Sequence, residues 1–480
     1  MLRSWPANLR RSADAPDPAT TDSQVVTHAT LPRSAIADLP LAPKSPLPRR
    51  QQLQAVRAYH TGSEVLRDAG GPVTRLKLAP HWLMPEVVVA TSPKGAHDVL
   101  SRAATDTDRA PTHDEVRQLF GESLFTIRNR TWPARRRILQ PVFTRKSVSA
   151  FGGHMAQAAA AVAGDWSDGQ QVDLDAAGRR VTLRALGRSV LGIDLDRRAD
   201  LISEPMRVSL NYVRARAASP VKPPHWLPTP RRRRARAAAG RLHALAAEIL
   251  QSCRDDPEHE APLVRLMMAA RDPDTGHALT DDEICDELVV FMLAGHDTTA
   301  TTLSYALWAL GHHGDMQDRV RAEAAAVGDR ELTPADLAGL TYTVQVLHEA
   351  LRLCPPGPMN PRTVNTDIEV NGYRVQAGSI CMVGVYALHR DPALWDRPLE
   401  FDPDRFGPEQ SKARERWQFI PFGAGARTCI GDHFAMLEAT LALATMVRLA
   451  RFESLHTDFP VALPFTMVAD GPIPARVRSV

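Results

Sequence analysis

The sequence predicts a mainly α-helical protein with small peripheral β-sheets. Three observations predict it. Residues 132–310 carry a helical apolar pattern almost throughout, interrupted by prolines around 220–230. A last helical stretch covers residues 432–449. The β-like segments are short and lie at 73–90, at 368–375 and in the tail. No internal repeat is visible.

Along the chain, residues 1–34 are rich in Ala, Asp, Ser, Thr and Pro without periodicity, which predicts a flexible tail. Prolines at 40, 43, 46 and 48 give an extended, turn-rich lead into a small sheet that includes Val87-Val88-Val89. Thr280-Asp281-Asp282-Glu283 is a capping box, with acids at the positive end of the helix dipole. The helix it opens continues to about residue 312 and would span roughly 50 Å. In its middle lies Ala294-Gly295-His296-Asp297-Thr298-Thr299, a run of weak helix formers. Thr298 can bond the carbonyl one turn back and open a groove, where a hydroxyl and a carboxylate would relay protons. A buried helix with a few polar residues explains this segment equally well. Further on, Asn371-Gly372 between Ile368-Glu369-Val370 and Tyr373-Arg374-Val375 predicts a hairpin.

Composition excludes several classes. The 480 residues hold 58 Lys+Arg against 55 Asp+Glu, a net charge of +3, and only 6% aromatics, which speaks against nucleic acid as a main partner. The five cysteines (253, 285, 354, 381, 429) form no CxxC pair, so neither a zinc ribbon nor a disulfide scaffold is expected. The N-terminus lacks the pattern of a secretory signal. The longest apolar run, residues 288–295, is stopped by His296 and Asp297, so no membrane anchor is expected. These features predict a cytoplasmic protein. The basic run Arg231-Arg232-Arg233-Arg234-x-Arg236 opens an Ala-rich helix and reads first as a solvated face, with membrane-surface contact the alternative.

Glu349 and Arg352 share one helical face at i, i+3, and the segment after them is apolar up to Pro355-Pro356. A second arginine, Arg405, sits between Phe401 and Phe406; a buried Glu bridged by two Arg would lock the fold. His348-Glu349 begins a zincin-like string, but Arg352 stands where that motif needs His. The most specific segment is Phe422-Gly423-Ala424-Gly425-Ala426-Arg427-Thr428-Cys429-Ile430-Gly431. Its glycines allow close approach to something flat, and Cys429 before a helix would favour a thiolate. Such a thiolate suits a metal whose other ligands come from a cofactor. A Cys-based phosphatase would need Arg six residues after Cys429, where Ala435 stands.

Phe422-x-x-Gly425-x-Arg427-x-Cys429-x-Gly431 resembles the haem-binding motif of the cytochrome P450 superfamily. Ala294-Gly295-x-Asp297-Thr298 resembles its oxygen-activation motif, and Glu349-x-x-Arg352 with Arg405 its structural triad, in the family's order. The resemblance covers residues 35–480 and implies a single monooxygenase domain, with haem b between the long helix and the cysteine loop. It implies Cys429 as thiolate ligand of the iron, a ligation that favours O–O cleavage. Asp297 and Thr298 would deliver protons to dioxygen. Gly295, Phe422 and Gly423 would border the haem, with Arg427, Trp132, Arg136 and Arg362 holding the propionates. His389 would be structural.

By the same resemblance the pocket would draw on residues 110–125, 205–227, 358–360 and 465–467, with Phe125, Leu293, Ala294, Met359 and Phe465 as its named walls. The substrate would be a small hydrophobic compound, hydroxylated or epoxidised. Electrons would come from NAD(P)H through a separate ferredoxin reductase and ferredoxin, the latter meeting Arg135, Arg137, Lys412, Arg414 or Arg416. A haem-thiolate isomerase or peroxygenase, or a non-catalytic haem protein, is the competing reading, and the Asp297-Thr298 pair argues against it.

Overall fold

A computed structural model describes residues 33–480 apart from 59, 81–83, 194–199, 218, 220 and 221. The expected tail lies almost wholly outside the described residues. About 56% of the described residues are helical. The centre is the helix Asp281–His312, started by Thr280: its hydroxyl accepts from the Glu283 amide at 3.3 Å while the Glu283 carboxylate accepts from the Thr280 amide at 2.9 Å. Polar residues interrupt its apolar pattern, yet most of its length is buried because helices surround it. Leu174–Leu186, Pro230–Asp255, Thr341–Leu353 and Asp432–Leu449 all pack against it.

The sheets are peripheral, as expected. The largest orders Val73–Leu76, Val87–Ala90, Ile380–Val383, Asn360–Val364 and Thr107–Arg109, with one parallel pair, Val87–Ala90 beside Ile380–Val383. The hairpin Ile368–Val370/Tyr373–Val375 turns through Asn371 and Gly372 at φ 52° and 85°. Two successive positive φ values are the type I′ geometry that Asn-Gly favours. Gln171–Asp173, Pro474–Arg478 and Arg451–Ser454 form a third sheet that ties the chain's end to its first half.

A polar lock fixes the segment leading to the cysteine loop. Glu349 and Arg352 are both fully buried and joined twice, at 2.6 and 2.7 Å. Arg352 also donates to the carbonyls of His389, Pro398 and Glu400, and Glu349 accepts the Asp402 amide at 2.9 Å. Arg405 approaches Glu349 at 3.5 Å. Buried His389, its imidazole pushed down to about 3 chiefly by burial, accepts the Ile420 amide at its Nε2 at 3.0 Å. Two residues later the cysteine loop begins.

Candidate active site

The loop closes on itself through the Cys429 amide, which donates to the Phe422 carbonyl at 2.9 Å. Gly423 and Gly425 sit at φ 70° and 73°. A Cβ on Gly425 would stand 2.1 Å from the Leu100 carbonyl oxygen, so only glycine allows this approach to the helix Pro93–Ser101. Cys429 carries accessible surface although protein surrounds it closely enough for burial to push its thiol up to about 11. Both observations place the thiol on the wall of an internal cleft. The sequence led us to expect a helix dipole favouring the thiolate, but the helix starts only at Asp432, capped by Gly431. Desolvation outweighs the single Gly431 backbone bond, so the thiolate needs a cation at its sulfur.

The central helix presents a second accessible strip. Ala294 is exposed and Gly295, Asp297 and Thr298 are partly so, whereas Leu293, His296, Thr299 and Ala300 are buried. Thr298 Oγ1 donates to the Ala294 carbonyl at 2.6 Å, the bond expected from the sequence. The Asp297 carboxylate accepts from Arg179, whose Nε also donates to Asp175 at 2.7 Å. On the other side Thr299 bonds Glu438, a buried carboxyl held well above its usual range by desolvation. Neither Arg179 nor Glu438 was legible as part of the site, since each lies in another helix with no local motif.

Arg427, Arg362 and Arg109 form a cluster of buried guanidiniums. Burial and the charge of Arg362 push Arg427 down to about 10; burial does the same to Arg362, and Asp108 is the carboxylate that opposes them. Arg427 donates to Ile127 O and Asn129 Oδ1 and stacks 5.0 Å from the Trp132 ring centre. Arg136 donates to the Thr428 carbonyl at 3.2 Å and lies close enough to feel the charges of Cys429 and Asp432. The structure therefore gathers Trp132, Arg136, Arg362 and Arg427 around the cysteine loop, and adds Arg109, which sequence reasoning missed.

The Nε atoms of Arg109 and Arg362 are buried without a partner. Three guanidiniums facing one Asp call for added negative charge. A thiol donor, a glycine-lined loop and orphaned cations fit an iron porphyrin with two carboxylates.

Among the pocket residues, Phe125 and Phe465 meet edge to face with centres 5.9 Å apart, and His113 and Arg109 lie against the Phe125 ring at 4.9 and 5.2 Å. Leu293 is buried in the main core, and Met359 packs against the cluster of Leu76, Val87 and Val89. Part of the 205–227 stretch falls outside the described residues. The expected docking arginines need correction. Arg135 is buried on Glu287 at 2.9 Å and on Glu283, Arg137 is paired with Asp272 at 2.9 Å, and Arg414 stacks between aromatic rings. Lys412 and Arg416 remain exposed.

Fold and donor set define a helical haem-binding protein. Residues 42–477 match the model of the family described as Cytochrome P450. Cyclooctat-9-en-7-ol 5-monooxygenase of Streptomyces melanosporofaciens is 31% identical over 85% of this chain and 88% of its own length. Pentalenene oxygenase of Streptomyces avermitilis is 29% identical, covering 79% and 84%. The haem domain of cytochrome P450DA superposes with a TM-score of 0.81 at 25% identity, over 92% of this chain and 98% of that one.

The chain belongs to the cytochrome P450 family. It is a haem b-dependent monooxygenase that hydroxylates a hydrophobic substrate with dioxygen. Among the described residues no helix is long and apolar enough to cross a membrane.

Proposed function

We propose that Cys429 is the iron ligand, that Arg109, Arg136, Arg362 and Arg427 hold the haem carboxylates, and that Asp297 and Thr298 form the proton relay. The observation that carries this reading is the pairing of a glycine-walled cysteine with a surplus of buried arginines that has one carboxylate among it. Bound haem supplies the activation of dioxygen and the oxidation of substrate. The chain's residues supply position and protons. Thr298 Oγ1 donates a hydrogen bond to the Ala294 carbonyl, leaving its lone pairs to accept from a donor in the cleft. Asp297, fixed by Arg179, is the carboxylate one residue away through which protons would be replenished.

The aromatic pair Phe125 and Phe465 supports an apolar substrate. The relatives named for cyclooctat-9-en-7-ol and pentalenene point to the terpene class, oxidised by hydroxylation. Residues 35–480 act as one domain. A ferredoxin and its NAD(P)H-dependent reductase supply electrons, the ferredoxin meeting Lys412 and Arg416, in the cytoplasm. The test is the carbon monoxide difference spectrum of the reduced protein. A strongly red-shifted Soret band, lost in Cys429→Ala, is expected; a band at the histidine-haem position, or one retained by Cys429→Ala, refutes the ligand assignment. Spin-state titration with terpenes then tests the substrate class.

A further inference from the structure

Away from the haem cleft, one stretch of surface is arranged against the needs of its own helix. Thr229 caps Pro230–Asp255, its hydroxyl accepting the Arg232 amide at 3.3 Å. Free amides make that end the positive pole of the macrodipole, where carboxylates stabilise and cations destabilise. Here the first turns carry Arg231, Arg233, Arg234 and Arg236, all exposed, and the first acid of the helix is Glu248. Among the described residues none of these four guanidiniums has an ion pair or side-chain hydrogen bond. Farther along the same helix Arg241 and Arg254 are paired, with Glu204 and Asp281.

The residues just before the helix add an apolar tip. Trp226 is 80% exposed, more than any other large apolar side chain described, and Leu227 beside it is 39% exposed. Pro223, Pro224 and Pro228 stiffen the stretch, and Lys222 adds another exposed cation. It is also held from beneath. Arg216 is buried on Glu115 at 2.6 Å and donates to the Pro223 carbonyl at 2.7 Å and to His225 Nε2 at 3.1 Å. The indole is thus presented on a fixed support, which lowers the entropy lost when it binds.

A solvated helix face explains neither the bare indole nor cations at the wrong pole. We propose that Trp226 and Leu227, ringed by Lys222, Arg231, Arg233, Arg234 and Arg236, dock this enzyme onto an anionic lipid surface. Indole favours the membrane–water interface, and each basic side chain near anionic lipid strengthens binding roughly fivefold. The lipid charge relieves the repulsion at the helix terminus. A long polyanion such as nucleic acid is the poorer fit, because 58 basic against 55 acidic residues give no wider basic field. The contact is peripheral, and it places an oxidiser of hydrophobic compounds at the phase in which they dissolve.

The test is sedimentation of the haem-loaded full chain with phosphatidylcholine vesicles, with and without phosphatidylglycerol. Binding is expected only to the phosphatidylglycerol vesicles and is reversed by high salt. The triple variant Arg231→Gln, Arg233→Gln, Arg234→Gln should bind about a hundredfold more weakly. Trp226→Ala should lose on the order of tenfold and keep the salt dependence. All these side chains are exposed, so an unchanged haem spectrum verifies folding. No binding to either vesicle, equal binding to both, binding indifferent to the variants, or tighter binding to duplex DNA or polyglutamate overturns the proposal.

Discussion

Asp297 and Arg179 are joined across 118 positions of sequence, and Arg179 holds Asp175 with the same guanidinium. Asp297 is therefore fixed by a partner on the neighbouring helix, and Arg179 acts through it. Asp297→Asn should slow turnover by ~10²-fold or more with haem content unchanged. Arg179→Ala should cost less, because the carboxylate stays but loses its orientation. The double variant should be no slower than Asp297→Asn alone, since both changes act on one unit. Turnover with matched reductant consumption measures all three; additive losses would separate Arg179 from the relay.

Glu349 and Arg352 are buried together, so removing one strands the other. Glu349→Ala should destabilise the fold by about 3–5 kcal/mol, a large share of a domain's total. Arg405→Ala should cost roughly 1 kcal/mol, since its Nε lies 3.5 Å from Glu349 without a hydrogen bond and its other bonds go to carbonyls. Urea unfolding of the two variants checks the order; equal losses would make Arg405 a full member of the lock.

Arg362 tests the carboxylate assignment by opposing signs. Its guanidinium is buried, repels Arg427 and Arg109, and leaves Nε without a partner. Arg362→Leu should weaken haem binding by about tenfold or more, the loss of a charge-assisted bond. The same change should stabilise the haem-free protein, by removing an unpaired buried charge. Haem titration and thermal unfolding of the apoprotein read the two effects; a variant less stable in both forms would show that Arg362 serves the fold alone.

Much of this was legible in the sequence where the chemistry is local. The capping box at Thr280, the Asn371-Gly372 turn, the last helix and the Thr298 bond to Ala294 each depend on residues within four positions of one another. The triad was legible because Glu349 and Arg352 share one turn of helix. What escaped depends on packing across the chain: Arg179 on Asp297, Arg109 beside Arg427, Glu438 under Thr299. The Arg135-Arg136-Arg137 run shows the limit well. Three adjacent identical side chains take three fates: Arg135 is buried on Glu287, Arg136 meets the cysteine loop, and Arg137 stays partly exposed over the buried carboxylate of Asp272. Helical rotation sets these fates, and composition carries no trace of them.

Stability should fall as the solution is acidified, and buried histidines decide it. Burial pushes His296 and His348 down to about 4 and His389 to about 3. The unfolded chain takes up these protons near pH 6.5 and the folded chain does not. Their stabilising contribution is thus fully present above pH 6.5 and is lost as pH falls toward the folded values. Glu287 acts in the opposite sense. Burial lifts its carboxyl to about 7 despite Arg135. Its contribution is present below the unfolded value near 4.5 and is lost as pH rises through 7. Between pH 6.5 and 4.5 these three histidines and His113, likewise pushed well down by burial, oppose Glu287 and Glu438, a net of roughly two protons or about 3 kcal/mol per pH unit at the steepest. Urea midpoints should therefore drop from pH 7 to 5.5, and drop more steeply in Glu287→Gln, which lacks one of the compensating groups. A midpoint that holds or rises on acidification would mean that these imidazoles accept protons within the folded protein.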